Sequence, residues 1–379
     1  MTRETCKADL ARTVSVLPNL RYVDLPEGFY NDDPSSNTLK QELQVRCPDI
    51  RKMGYHNGSE QSFTGLAQSR HWQNLEILEL SHLVIEPSTL LYVLGSFPAL
   101  HQLKIVDAPW LDDSILHTTP SLPLFPPLHS LSVENAPNLT AGGLKTYLSR
   151  PETREILSTL GLNSTGVLPC TLHLVLANAP HLTYLSITDT VTRSFPIEPV
   201  PPLTSQSLTT LRFEIFTSPS THSIQPLADS YYTYLTSSLL SNSLPALRAL
   251  YVRSNTFPET LLAPPAPAFA QQQSNGVPRG LSRPLSVYSK GLDELEWNLT
   301  SIFPPTAPGR RGSASTTRPV SAYSALSRTS SGDSRHSSLV GNGFGGFLAV
   351  PSEDGGRIGS ASGKKGHGRR GSKTDAWMG

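Results

Sequence analysis

Cysteine is scarce in this 379-residue chain, which has three, Cys6, Cys47 and Cys170. An odd number at wide separation excludes a disulfide framework and lacks the close pairs from which zinc sites are built, so reduced, buried thiols are expected. Long apolar runs are missing as well. No stretch approaches the roughly 20 residues that span a bilayer, and the opening Met1-Thr2-Arg3-Glu4-Thr5-Cys6-Lys7 lacks the apolar centre of a secretory leader. The expectation is an intracellular protein, cytoplasmic or nuclear, with no membrane partner. The four Asn-x-Ser/Thr triplets at Asn57, Asn138, Asn163 and Asn298 then read as chance matches.

The signatures of catalysis are also lacking. The chain has no G-x-x-x-x-G-K-[ST], no G-x-S-x-G, no H-E-x-x-H and no Gly-rich dinucleotide turn after a strand. Gly341-Asn342-Gly343-Phe344-Gly345-Gly346 imitates a phosphate loop, but neither a strand nor a helix flanks it. A thiol–imidazole pair could come from Cys47 or Cys170 and the 11 histidines. Both cysteines fall where a repeat needs small buried residues, and His101 and His129 occupy one shared repeat position, so scaffold roles are expected for all four. No catalytic residue, cofactor or metal is expected.

An excess of charge is absent overall, at net +1, but the two ends differ. Residues 1–308 hold 20 Lys/Arg against 26 Asp/Glu, a net of −6, whereas 309–379 hold 11 against 4, a net of +7. An acidic body repels phosphate backbones, which argues against specific nucleic-acid binding.

What the chain does have is a period. L-x-x-L-x-L with conservative replacements occurs ten times: Leu20/Val23/Leu25, Ile50/Met53/Tyr55, Leu75/Leu78/Leu80, Leu100/Leu103/Ile105, Leu128/Leu131/Val133, Leu157/Leu160/Leu162, Leu182/Leu185/Ile187, Leu208/Leu211/Phe213, Leu247/Leu250/Val252 and Leu292/Leu295/Trp297. First positions are 30, 25, 25, 28, 29, 25, 26, 39 and 45 residues apart. Ahead of three triplets the flanks repeat too, as Leu10/Val14/Pro18, Leu90/Leu94/Pro98 and Leu172/Leu176/Pro180. A spacing of four puts two apolar side chains on one helical face, and the proline stops the helix before the strand. Ile105-Val106-Asp107-Ala108-Pro109-Trp110-Leu111 is echoed by Val133-Glu134-Asn135-Ala136-Pro137-Asn138-Leu139, with small Ala108 and Ala136 where the chain turns out of the strand. Helices are expected next, over 112–117 and 140–150.

Repeats of this length and pattern predict an α/β leucine-rich-repeat solenoid, with short parallel strands on the concave face and helices on the convex face. It spans residues 8–303 and carries a disordered Pro/Ala/Gln insertion at about 258–284. A disordered Ser/Gly/Arg-rich tail, 304–379, follows. Leu292-Asp293-Glu294-Leu295-Glu296-Trp297 is expected as the last strand, with Trp297 and Phe303 as an apolar cap. Alternation in the strands sends the last two residues of each triplet inward and those between them outward. The predicted partner surface is therefore Tyr22, Asp24, Glu79, Lys104, Tyr184, Arg212, Glu294 and Glu296, with Tyr251 and Arg253 after Leu250. Tyrosine among mixed charges suits a protein partner; a monomer is expected.

Two short motifs recur outside the triplets and are read as lying in disordered chain. Arg283-Pro284-Leu285-Ser286-Val287-Tyr288-Ser289 is echoed by Arg318-Pro319-Val320-Ser321-Ala322-Tyr323-Ser324, and Arg310-Arg311-Gly312-Ser313 by Arg369-Arg370-Gly371-Ser372. Arginine upstream of serine suits basophilic kinases, which makes Ser286, Ser313, Ser321 and Ser372 candidate phosphorylation sites; compositional drift explains the same pattern.

The triplets, the helix–proline–strand unit and the Ala-Pro-x-Leu turns resemble the repeat region of F-box/leucine-rich-repeat proteins, particularly fungal ones with long insertions and Ser-rich C-termini. That resemblance implies repeats that capture a protein substrate, and a separate F-box that docks on the adaptor of a cullin-RING ubiquitin ligase. Here Leu10 already belongs to the first repeat helix, which leaves no room for an F-box of about 40–50 residues. Either an F-box is encoded upstream, in which case the adaptor is a partner, or the chain is a free-standing interaction or regulatory protein.

Overall fold

The computed structural model describes residues 2–68, 71–117, 120–217, 227–262, 280–290, 296–304 and 320–321. They form an α/β arrangement around one open, mostly parallel sheet. Ten parallel strands lie side by side in chain order: β1 (Tyr22–Asp24), β2 (Lys52–His56), β3 (Ile77–Ser81), β4 (Gln102–Val106), β5 (Ser130–Ala136), β6 (Thr159–Thr165), β7 (Tyr184–Val191), β8 (Thr210–Thr217), β9 (Ala249–Val252) and β10 (Leu285–Lys290). Two strands then turn back antiparallel, β11 (Trp297–Ile302) on β10 and β12 (Val320–Ser321) on β11. Among the described residues no helix is long and apolar enough to cross a membrane.

The strands stack in step because their apolar residues do. Met53, Leu78, Leu103, Leu131, Leu160, Leu185, Leu211 and Leu250 stand in register from β2 to β9. A second row, from Tyr55 to Val252, lies two residues on, and both rows are buried. In the first nine triplets every residue is buried except the half-buried Leu20, so the inward and outward faces fall as the alternation predicts. No single coil could cover these side chains; each strand's inward row is sealed by its neighbours and by the helices behind them.

The helices are short: α1 (Thr2–Ser15), α2 (Pro34–Arg46), α3 (Glu60–Gln68), α4 (Pro87–Leu94), α5 (Ala141–Leu148), α6 (Pro151–Ile156), α7 (Leu172–Asn178), α8 (Leu227–Leu240) and α9 (Phe257–Leu262). Their starts follow local chemistry. Asp33 and Thr140 cap α2 and α5 by accepting the Ser36 and Gly142 amides, and prolines fill first-turn positions in α2, α4 and α6. The paired apolar positions read from the sequence are inward, with Val14, Leu90, Leu94, Leu172 and Leu176 buried and Leu10 half-buried. The helix expected over 112–117 is a single 3-10 turn, Asp113–Leu116, capped by Asp112.

At the strand exits a further column appears. Asn57, His82, Asp107, Asn135 and Ser164 all have positive φ, between 46° and 57°. Such a residue turns the chain sharply while its amide continues the ladder: the Asn57, His82 and Asp107 amides donate to Ser81, Val106 and Glu134 of the next strand. Asparagine and aspartate tolerate this region best. The turn therefore sits one residue before Ala108 and Ala136, which are buried.

Four expectations change. The strand expected at residues 292–297 is not the last parallel one: that place belongs to β10, whose Leu285 and Val287 are buried, while Trp297 opens an antiparallel strand. Leu285-x-Val287-x-Ser289 escaped the template because serine stands where an apolar residue was sought. The motif 283–289, read as disordered, is therefore largely strand, and residues 258–262 of the expected insertion belong to α9 (Phe257–Leu262). Residues 263–279 of that insertion and Leu292 and Leu295 lie outside the described residues, as does the tail apart from 304 and 320–321. Phe303, expected in an apolar cap, is exposed.

Candidate functional site

The outward residues form columns as regular as the inward ones. Across the middle of the strands run Asp24, Gly54, Glu79, Lys104, Ser132, Gly161, Ser186, Arg212 and Tyr251, with Tyr288 next on β10. One column nearer the strand starts, Tyr22, Lys52, Ile77, Gln102, Ser130, Thr159, Tyr184 and Thr210 keep the same order.

The ten predicted surface residues do not form one cluster. Tyr22 lies at the β1 edge, 68% exposed, and Asp24 hydrogen-bonds His56 at 2.7 Å. Glu79 pairs with Lys52 at 2.6 Å and Lys104 with Glu134 at 3.2 Å. Over β1 to β5 opposite charges on the face thus meet across strands. These pairs are partly exposed and contribute little to stability, but they occupy the charges.

At the other end, Tyr184, Arg212 and Tyr251 come together with residues the pattern missed. Tyr251 stacks on Tyr288, centroids 4.4 Å apart and planes 7° off parallel, and meets the edge of Trp297 at 5.4 Å. Trp297 thus lies on the outer face, not in the core. Arg212 Cζ is 5.8 Å from the Trp297 ring and Lys290 Nζ 4.4 Å from it, within cation–π range. Arg212 Nε donates to the carboxylate of Glu214, a buried acid two residues along the same strand. Burial first, then the neighbouring Tyr288 and Tyr184, raise the Tyr251 pKa, while Arg212 pulls it down. Arg253 sits past β9, its guanidinium 4.0 Å over the Phe216 ring. Glu296 is exposed beside Trp297, and Glu294 lies outside the described residues. Alternation in Ser286-Val287-Tyr288-Ser289-Lys290 was the available signal for Tyr288 and Lys290, hidden by reading that stretch as disordered.

The candidate phosphorylation sites separate as well. Ser286 is half-buried in β10, paired on one side with β9 and on the other with β11, and its amide donates to Arg248. Ser321 pairs with Asn298 in β12, and Ser313 and Ser372 lie outside the described residues.

Cys47 is buried, its thiol donating to the Leu17 carbonyl, and burial pushes its pKa up, away from thiolate chemistry. The His101 and His129 rings meet edge-on at 6.0 Å, one strand apart. Among the described residues no three His, Cys, Asp or Glu side chains are grouped to hold a metal ion. An open groove of about 640 Å³ follows the positive-φ column past His82, Asp107 and Asn135, walled by Val84, Pro109 and Pro137. Its polar groups engage one another, since Asp107 meets His82 at 3.1 Å and accepts from Asn135. The aromatic and basic end of the sheet face is therefore the stronger candidate site. Compared with known proteins, the chain matches no protein-family model and no curated sequence.

Proposed function

We propose that the chain is a leucine-rich-repeat solenoid acting as a non-catalytic protein-binding scaffold, with the outward sheet face as its binding surface. One observation carries this reading: across ten parallel strands the inward rows are sealed, while the outward columns present side chains in fixed order, ending in the Tyr184, Arg212, Tyr251, Tyr288 and Trp297 cluster. Tyrosine, tryptophan and arginine are the residues that dominate the energetics of protein interfaces. The resemblance to F-box/leucine-rich-repeat proteins supports a finer reading, the substrate-recognition region of a cullin-RING ubiquitin ligase subunit. The alternative is a free-standing scaffold, and in either reading α1 belongs to the repeat stack. Helix α1 buries Ala11 and Val14, and its Lys7 reaches Asp33 and Ser36 in the α2 cap at 2.7 Å, so its apolar face is used in the stack.

Site-specific photo-crosslinking tests the shared part of both readings. A crosslinker at Tyr184 or Tyr251 should trap the same cellular proteins, and one at Tyr92, exposed on α4, should not. Equal capture from Tyr92 would refute the assignment of the face.

A further inference from the structure

The outward face changes character along its length. Over β1 to β5 its lysines each meet a glutamate of the next strand. Over β8 to β11 a buried acid instead holds a basic side chain within one strand. Glu214, its side chain 6% exposed, takes the Nε of Arg212, whose own side chain is 43% exposed. A guanidinium held through Nε keeps the two Nη groups of its far edge for another acceptor. That edge grips a carboxylate end-on, through two parallel hydrogen bonds.

The rings around it limit what the acceptor belongs to. Tyr251 and Tyr288 lie face to face at 4.4 Å, and Lys290 covers one face of Trp297. Nucleic-acid bases bind by stacking on open aromatic faces, and here each tyrosine gives one face to the other while Trp297 gives one to Lys290. The phenolic hydroxyls can donate hydrogen bonds to an acceptor.

We propose that this end of the sheet binds an extended acidic segment of a partner protein, with an aspartate or glutamate carboxylate on the Nη edge of Arg212 and the Tyr184 and Tyr251 hydroxyls donating beside it. The proposal rests on the scaffold reading above and gives the partner's chemistry.

The test probes an immobilised library of random 12-residue peptides with the full chain. The bound peptides should be enriched in Asp and Glu, and added salt should weaken them. R212Q should reduce acidic-peptide binding about tenfold or more, the size of one charge-assisted hydrogen bond, while K52Q on β2 should leave it unchanged. Because R212Q deprives Glu214 of its cation, R212K supplies the check: it keeps a charge beside Glu214, should melt with the parent chain, and should still lose binding for want of the Nη pair. No peptide binding, no acidic enrichment, acidic binding indifferent to both variants, or displacement by a dT12 oligonucleotide would each overturn the proposal. Neutral peptides lost on Y184A or Y251A would overturn it while leaving the scaffold reading standing; the scaffold reading itself falls only if binding ignores every outward residue.

Discussion

Truncating Leu185 to alanine should cost about 3–5 kcal/mol of folding stability. Leu185 is fully buried in β7, between Leu160 of β6 and Leu211 of β8 in the same inward row. The change deletes three buried carbons, about 2.4 kcal/mol of transfer free energy at roughly 0.8 per methylene. The remainder is the cavity, which a wall of branched side chains on both neighbouring strands cannot collapse to fill, and the total lies in the range measured for buried Leu→Ala changes. Because coils are stabilised by both neighbours, a central position weakens two interfaces at once. The assay is urea unfolding followed by circular dichroism, with Ser186→Ala as the control. Ser186 is the next residue on the same strand and faces outward, so its loss should cost less than about 0.5 kcal/mol. Equal losses for the two variants, or a larger loss for S186A, would refute the facing of the sheet on which the rest of the account depends.

Glycines offer a second pair of outcomes. A Cβ at Gly166 would lie 2.3 Å from the Pro137 carbonyl oxygen and 2.9 Å from that of Leu139, both backbone atoms, so G166A should destabilise by about 1–3 kcal/mol. Gly65, inside α3, has nothing within 4 Å, and G65A should stabilise by about 0.5–1 kcal/mol; thermal melts of both variants decide. The Asp33 cap gives a pH signature. Burial alone would raise its pKa, but hydrogen bonds from Lys7, Ser35 and Ser36 outweigh it and hold the carboxyl below the usual range. A folded pKa below the unfolded one means the stabilisation is complete at neutral pH and is lost as pH falls below about 4. Part of the acid loss should vanish in D33N, and an unchanged profile would contradict the cap. Residues 1–379 should fail to co-precipitate the cullin adaptor, because α1 already spends its apolar face on α2; stoichiometric binding would contradict that.

The architecture was legible wherever two chemical patterns agreed. In the coil of Leu90, Leu94, Leu100, Leu103 and Ile105, helical spacing of four, a proline stop and strand alternation all point to one unit, and all five side chains are buried. Where only the triplet spoke, at Leu292/Leu295/Trp297, it misled, since Leu-x-x-Leu-x-Trp satisfies a hydrophobic template whichever way the strand runs. Pairing direction is a long-range property that apolar spacing does not encode. The same limit governed the site. Tyr184, Arg212 and Tyr251 were readable as outward by alternation, but their convergence with Trp297 required knowing that β11 folds back beside β10. Glu214 was hidden for another reason: its burial comes from its neighbours and the Arg212 contact, and nothing local in Arg212-Phe213-Glu214 distinguishes it from an exposed acid.

The most direct test of the central claim is an affinity scan with a protein trapped from Tyr184, measured by isothermal titration calorimetry against single alanine variants of the full chain. Losses of about tenfold or more should fall at Tyr184, Arg212, Tyr251 and Trp297, as expected for a clustered hot spot. Tyr92, Val84 and Leu124, exposed away from that cluster, should lose nothing. Losses concentrated at those three residues, with the outward cluster silent, would contradict the account.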